Sequence, residues 1–286
     1  MTLAALALIL TSAVIHASWN VLAKRASGGP AFVWLFATSS AIIYLPLAIG
    51  SIIVQQPYIG PLELLFIAGS SFLHLGYFLL LQRGYATGDL SLVYPLARGT
   101  GPTLSTAAAI LFLGERPGPL AIAGALLVGV SVFALTSVPH RTSHGHQRAA
   151  ITFGLLTGCL IASYTLWDKY AVATLAIPPI LLDWSLGVGR SLTLAPYAAR
   201  NRAFVRETWT RYRREVLGVA VLSPLAYILV LTALTFTPVS YVAPAREVSI
   251  LIGTAIGARL LSEESGVLRI AAAGLMVIGI FGLAIG

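Results

Sequence analysis

Charge is what this sequence has least of. Asp, Glu, Lys and Arg make up 10% of its 286 residues, and apolar side chains make up 57%. A soluble domain carries roughly 25% charged residues, which form the polar shell over its core. These residues cannot supply such a shell, so lipid is the expected solvent for most of the outer surface. Cysteine is scarcer still. The single Cys159 lies in an apolar run, which excludes an intrachain disulfide and a cysteine-built metal cluster. The motifs of soluble chemistry are missing too: there is no Gly-x-x-x-x-Gly-Lys-Ser/Thr phosphate loop, no His-Glu-x-x-His helix and no Gly-x-Ser-x-Gly elbow. The chain is therefore expected not to be an enzyme and to need no cofactor. An intramembrane enzyme finds no nucleophile–base or metal arrangement here. His140, His144 and His146 stand in a polar loop without further ligands, which argues against a metal site. The net charge of +8 suits a membrane surface better than a nucleic-acid partner, because basic residues collect in cytoplasmic loops.

What the chain does have is long apolar runs. They predict an all-α membrane protein with about ten transmembrane helices, near 2–23, 31–54, 62–82, 90–113, 118–137, 151–167, 177–199, 216–236, 239–261 and 266–285. Met1 leads straight into apolar residues without a basic leader, so the first run is expected to stay as a span. Short breaks carry turn chemistry, as in Ser27-Gly28-Gly29-Pro30 and Glu115-Arg116-Pro117-Gly118.

An internal repeat organises these spans. Arg98 precedes Glu115 by seventeen residues, and Arg246 precedes Glu263 by the same seventeen. At the shift of 148 positions between the two pairs, Ala97-Arg98 falls on Ala245-Arg246, Gly118 on Gly266 and Phe133 on Phe281. Ala17-Ser18-Trp19 with Lys24 likewise falls on Ala162-Ser163-Tyr164 with Lys169, and Tyr77 on Tyr227. Rare charges repeating in register are not explained by composition. The reading is a first five-helix repeat over 1–138, a linker loop over 139–150 and a second repeat over 151–286. Five is odd, so the halves are inverted. Lys24, Arg25, Arg83, Arg141, Arg148 and six arginines between 200 and 214 gather on one side of the membrane. By the positive-inside rule that side is cytoplasmic, with both termini outside. The 200–215 segment, with Phe204 and Trp209 among its arginines, reads either as an interfacial helix or as a solvated basic loop.

Charges within spans cost about 2.5–3.5 kcal/mol each on insertion scales, so each asks for a reason. His16, His74, Arg98, Asp183, Arg190, Arg246 and Glu247 are the residues concerned. Pro95 and Pro244 sit beside Arg98 and Arg246, and paired broken spans in corresponding positions point to a transport site. A guanidinium fork suits a carboxylate or phosphate. Structural pairing of the two arginines with Glu247 or Asp183 is the alternative. His16, Trp19 and Asn20 share a helix face, and Tyr164 with Trp167 forms the matching pair; interfacial anchoring competes for Trp167. His16 and His74 offer a coupling proton a place to bind.

Three stretches bear a family resemblance: His16 to Lys24, Tyr94-Pro95-Leu96-Ala97-Arg98-Gly99 leading to Gly114-Glu115-Arg116, and Pro244-Ala245-Arg246-Glu247 leading to Glu263. Through them the whole chain resembles the drug/metabolite transporter superfamily, in particular its ten-helix EamA-type members. The resemblance implies a secondary transporter of small metabolites in a bacterial inner membrane, often an exporter, with a central cavity between its halves. Many relatives keep both termini cytoplasmic, opposite to the charge bias here. Gly99-Thr100-Gly101-Pro102 also has no counterpart after Arg246.

The expected function is alternating-access transport of a small polar metabolite such as an amino acid or organic anion. The expected substrate-site residues are His16, Trp19, Asn20, His74, Tyr77, Tyr94, Arg98, Tyr164, Trp167, Tyr227, Tyr241, Arg246 and Glu247. The alternative is a multidrug exporter of hydrophobic cations, for which Asp183 and Glu247 are the available carboxylates. Expected partners are the small-molecule substrate, the bilayer and a coupling proton; the oligomeric state stays open, a monomer included.

Overall fold

A backbone in lipid must bond to itself, and each apolar run does so by coiling into a helix. The computed structural model describes residues 1–26, 29–87, 90–136, 144–252 and 267–286. Among these residues helix is the regular structure present: α1 (Leu3–Arg25), α2 (Pro30–Gln55), α3 (Pro61–Thr87), α4 (Leu90–Phe112), α5 (Pro119–Thr136), α6 (His144–Ala173), α7 (Pro179–Arg200), α8 (Arg202–Phe236), α9 (Val239–Ala245) and α10 (Val267–Ile285). Four of them open on proline, whose missing N–H costs nothing in a first turn. Helices α1, α2, α3, α6 and α8 contain stretches long and apolar enough to cross a membrane; α5 and α10 carry shorter ones. Large apolar side chains cover much of the outside, and several polar ones lie within. Phe72, Leu111 and Leu192 are 75%, 76% and 69% exposed, while Ser70, Asp168 and Glu247 are buried. Lipid, not water, suits such a surface.

The helices differ from the expected spans at α3, α6, α8 and α9: α3 runs on from 82 to Thr87, and α6 starts at His144, inside the segment expected to be a linker loop over 139–150. Helix α6 runs on past 167 because its charged pair is satisfied inside the bundle. Lys169 Nζ donates to the carbonyls of Leu234 and Thr237 at 2.7 and 3.1 Å, capping the C-terminus of α8. Within the 200–215 segment Arg200 ends α7, and the chain from Arg202 is helical and runs into the eighth expected span, joined to it at Tyr212, whose φ of −124° is not helical. The ninth span is broken: α9 ends at Ala245, Arg246 and Glu247 form a turn, and the helix resumes at Val248. Glu115 caps α9, accepting the Val239 and Ser240 N–H groups at 2.7 and 2.9 Å. This contact gives the Arg98–Glu115 spacing a structural job: one charge sits at the break and the other at a helix start.

Helix pairing follows a pattern. Helix α1 lies against α8, and α3 against α6; α2 packs on α7, and α5 on α10. Helix α4 packs along α6, where Gly154 and Gly158 let Leu96 and Thr100 approach the α6 backbone. The α5–α10 crossing is tighter. A Cβ on Gly124 would stand 2.5 Å from the Gly279 carbonyl oxygen and 2.8 Å from Leu283 N. Backbone cannot yield as a side chain can, and close approach is what holds helices together in lipid. Gly124→Val is expected to cost about 3 kcal/mol, the upper end of ordinary overpacking. Thermal unfolding in detergent checks this, and an unchanged melting temperature would show that the contact is not tight. Glu263, Arg259, the Gly253-x-x-x-Gly257 motif, the His140–Arg141 stretch and the side chains of Lys24, Tyr94, His144 and His146 lie outside the described residues.

Candidate functional site

The polar side chains of α3, α6, α8 and the α9 break converge on one cluster. Its centre is Asp168, which is fully buried on α6. Its Oδ1 accepts from Ser70 Oγ at 2.5 Å. Its Oδ2 lies 3.0 Å from His74 Nε2 and accepts from the Tyr227 hydroxyl at 2.5 Å. Tyr227 Oη is also 3.3 Å from His74 Nε2. Three groups from two other helices thus close on one carboxylate, which explains how it is tolerated in an apolar span.

Aromatic rings surround this centre. His74 stacks on Tyr164 with centroids 4.1 Å apart and meets Tyr227 edge-on at 5.3 Å. Tyr77 meets Tyr164 edge-on at 5.7 Å. The Arg246 guanidinium stands over the Tyr227 ring, 5.5 Å from its centroid. Among the described residues Arg246 has no carboxylate within ion-pair distance.

Arg98 is placed differently. Its Nε forms an ion pair with Glu247 at 3.0 Å, and its Nη2 donates to Ser249 Oγ at 3.3 Å. The broken backbone at 246–247 therefore turns two successive charges to different partners: Glu247 towards α4, Arg246 towards α8. His16 on α1 lies within electrostatic reach of both arginines, and Tyr164 within reach of Arg98, Arg246, Glu247 and Asp168. A cavity of about 180 Å³ opens beside the ion pair, between α4, α5 and α9. Arg98, Thr106 and Glu247 line its polar side; Ile110, Leu126 and Val132 belong to its apolar walls.

Of the expected site residues the structure brings together His16, His74, Tyr77, Arg98, Tyr164, Tyr227, Arg246 and Glu247. Trp19 touches the group through the His16 ring, 4.9 Å between centroids, and otherwise packs with Leu22 and Phe32. The remainder are spent elsewhere. Asn20 donates to the His16 carbonyl of its own helix. Trp167 donates to the Phe66 carbonyl at 2.8 Å and stacks on the Phe66 ring, tying α6 to α3. The Tyr241 hydroxyl donates to the Gly286 carbonyl at 3.2 Å. Asp183 and Arg190 line a small separate cavity between α2, α7 and α8.

Asp168, absent from the expected set, is the residue on which the cluster depends. The pair Asp168-Lys169 looks like a chain leaving the membrane, and only partners 59 to 98 residues away reveal otherwise. One sequence signal was available. In the register that lays Lys24 on Lys169, Asp168 falls on Ala23, so this acid has no acidic counterpart there.

No family model matches the chain, and no curated protein matches it. Among solved structures it is similar to a protein of known crystal structure, with 12% identity and a TM-score of 0.76 over 98% of this chain and 97% of the other. At that identity the likeness concerns the fold alone.

Proposed function

We propose that the chain is a secondary transporter, an exporter in a bacterial inner membrane, that moves a small anionic or zwitterionic metabolite by alternating access of two inverted five-helix halves. The observation that carries the reading is Arg246. It is a guanidinium on a broken span, among aromatic rings and with no carboxylate in contact among the described residues. A fixed cation held at a break in lipid, where hydration is lost, gains by taking an anionic ligand. Helix pairing supports the two halves. Exchanging α1–α5 with α6–α10 turns the α1–α8 contact into the α6–α3 contact and leaves α2–α7 and α5–α10 as their own counterparts. That pattern is expected of a pseudo-two-fold axis in the membrane plane. In this reading Arg246 anchors the substrate's negative group, while His16, Tyr77, Tyr164 and Tyr227 shape its surroundings. The Arg98–Glu247 pair braces the break, and both termini lie outside the cell.

The hydrophobic-cation reading gains one observation, since Asp168 is the membrane-embedded carboxylate it calls for, ringed by aromatics. Asp168 is closed off by three donors, however, and offers a cation no open face. Counterflow of labelled amino acids, organic acids and quaternary ammonium compounds in proteoliposomes separates the two. The anion reading expects exchange of at least one acid and of no cation; exchange confined to cations would overturn it.

A further inference from the structure

We infer that Asp168 and His74 together form a proton-binding site, and that Tyr227 carries its state to Arg246. Asp168 Oδ2 is the crowded atom. It receives both Tyr227 and His74, while Oδ1 holds Ser70. A carboxylate accepts at both oxygens, whereas a carboxylic acid must donate from one of them and loses acceptor capacity there. A proton arriving on Oδ2 therefore turns that oxygen into a donor, so that Tyr227 must give way or His74 Nε2 must become the acceptor, and one arriving on His74 converts the pair to imidazolium and carboxylate. In both cases one proton is gained from water, the pair's net charge rises by one, and no bond other than hydrogen bonds is exchanged.

Around the pair stand Tyr164 on α6, with Tyr77 of α3 edge-on to its ring, Tyr227 from α8 and Arg246 from the turn after α9. Arg190 of α7 lies within electrostatic reach of His74, and Asp183 of Asp168; Arg98 of α4 and Glu247 reach Tyr164. Among the described residues Tyr227 touches both centres, with its hydroxyl on Asp168 and its ring under the Arg246 guanidinium. Its hydroxyl has one proton to give: a proton on Oδ2 takes that acceptor away, and one on His74 makes Nε2 a fixed donor that competes for Oδ2 and faces Tyr227 Oη at 3.3 Å, so either state shifts the ring and the cation above it. Only what the proton achieves rests on the transport reading; where it binds does not.

The test therefore needs no substrate. Infrared difference spectra of the full chain in liposomes are recorded on a step from about pH 8 to about pH 5, which spans the histidine range. The expected result is a protonated-carboxyl or imidazolium band that is lost in Asp168→Asn. A tyrosine C–O band, assigned by its loss in Tyr227→Phe, should shift with the same midpoint. Should Asp168→Asn not fold, His74→Gln serves: glutamine still donates to Oδ2 but takes no proton, so the midpoint must move. A spectrum unchanged in whichever of these two variants folds, or a Tyr227 band indifferent to pH, overturns the inference.

Discussion

Replacing Arg246 by alanine is expected to weaken binding of every acid the wild-type chain carries about a hundredfold, and to cut exchange at low substrate accordingly, while leaving a folded protein. Among the described residues the guanidinium touches no carboxylate, so its removal orphans no buried anion. Its visible attachment is the Tyr227 ring at 5.5 Å, worth about 0.5–2 kcal/mol. The fold should survive that loss. Binding should not, because hydrogen bonds to a charged group contribute about 1.5–3 kcal/mol each. Losing a bidentate pair worth about 3 kcal/mol in total weakens affinity about a hundredfold, since each 1.4 kcal/mol is tenfold. Arg246→Lys keeps the charge and gives up the fork, so it should fall between the two. Counterflow in proteoliposomes reads the effect, with the melting temperature as control for folding. A well-folded Arg246→Ala variant that exchanges acids at the wild-type rate would remove the anchor from the proposed mechanism.

The same cluster shows how far a sequence of this kind can be read. Helices are legible because long apolar runs coil by a local rule, and α2, α5 and α10 start and end within a few residues of the expected limits. The break at 246–247 is legible because proline and rare charges announce it twice. Asp168 is not, because its tolerance is a property of Ser70, His74 and Tyr227 rather than of its neighbours in sequence. The Asp168-Lys169 pair satisfies every local criterion for leaving the membrane, yet α6 continues to Ala173. Trp167 and Tyr241 mark the opposite failure. Their residue types suit a binding surface, but their polar atoms are spent on backbone carbonyls of α3 and of the last residue. Residue type and spacing give the face a side chain occupies, and only the partner helix decides whether that face is packing or site.

Arg98 and Glu247 call for an experiment on two residues at once. Their side chains are 12% and 6% exposed and paired at 3.0 Å. Arg98→Met leaves a buried carboxylate without its partner, and Glu247→Leu leaves a buried guanidinium. Breaking such a pair from one side costs about 3–5 kcal/mol, whereas replacing both by apolar groups of similar volume is often neutral or stabilising. Each single variant is thus expected to melt well below the wild type, and the Arg98→Met/Glu247→Leu double variant close to it. A double variant as unstable as the singles would show that the ion pair is not the energetic unit at the break. Transport by a stable double variant then assigns the role. If it exchanges acids, the pair serves only to brace α9 against α4, and Arg246 is the sole anion anchor. If it melts like the wild type but exchanges nothing, Arg98 holds substrate as well and must leave Glu247 to do so. In that case the 180 Å³ cavity beside the pair is where the released side chain and its ligand would meet.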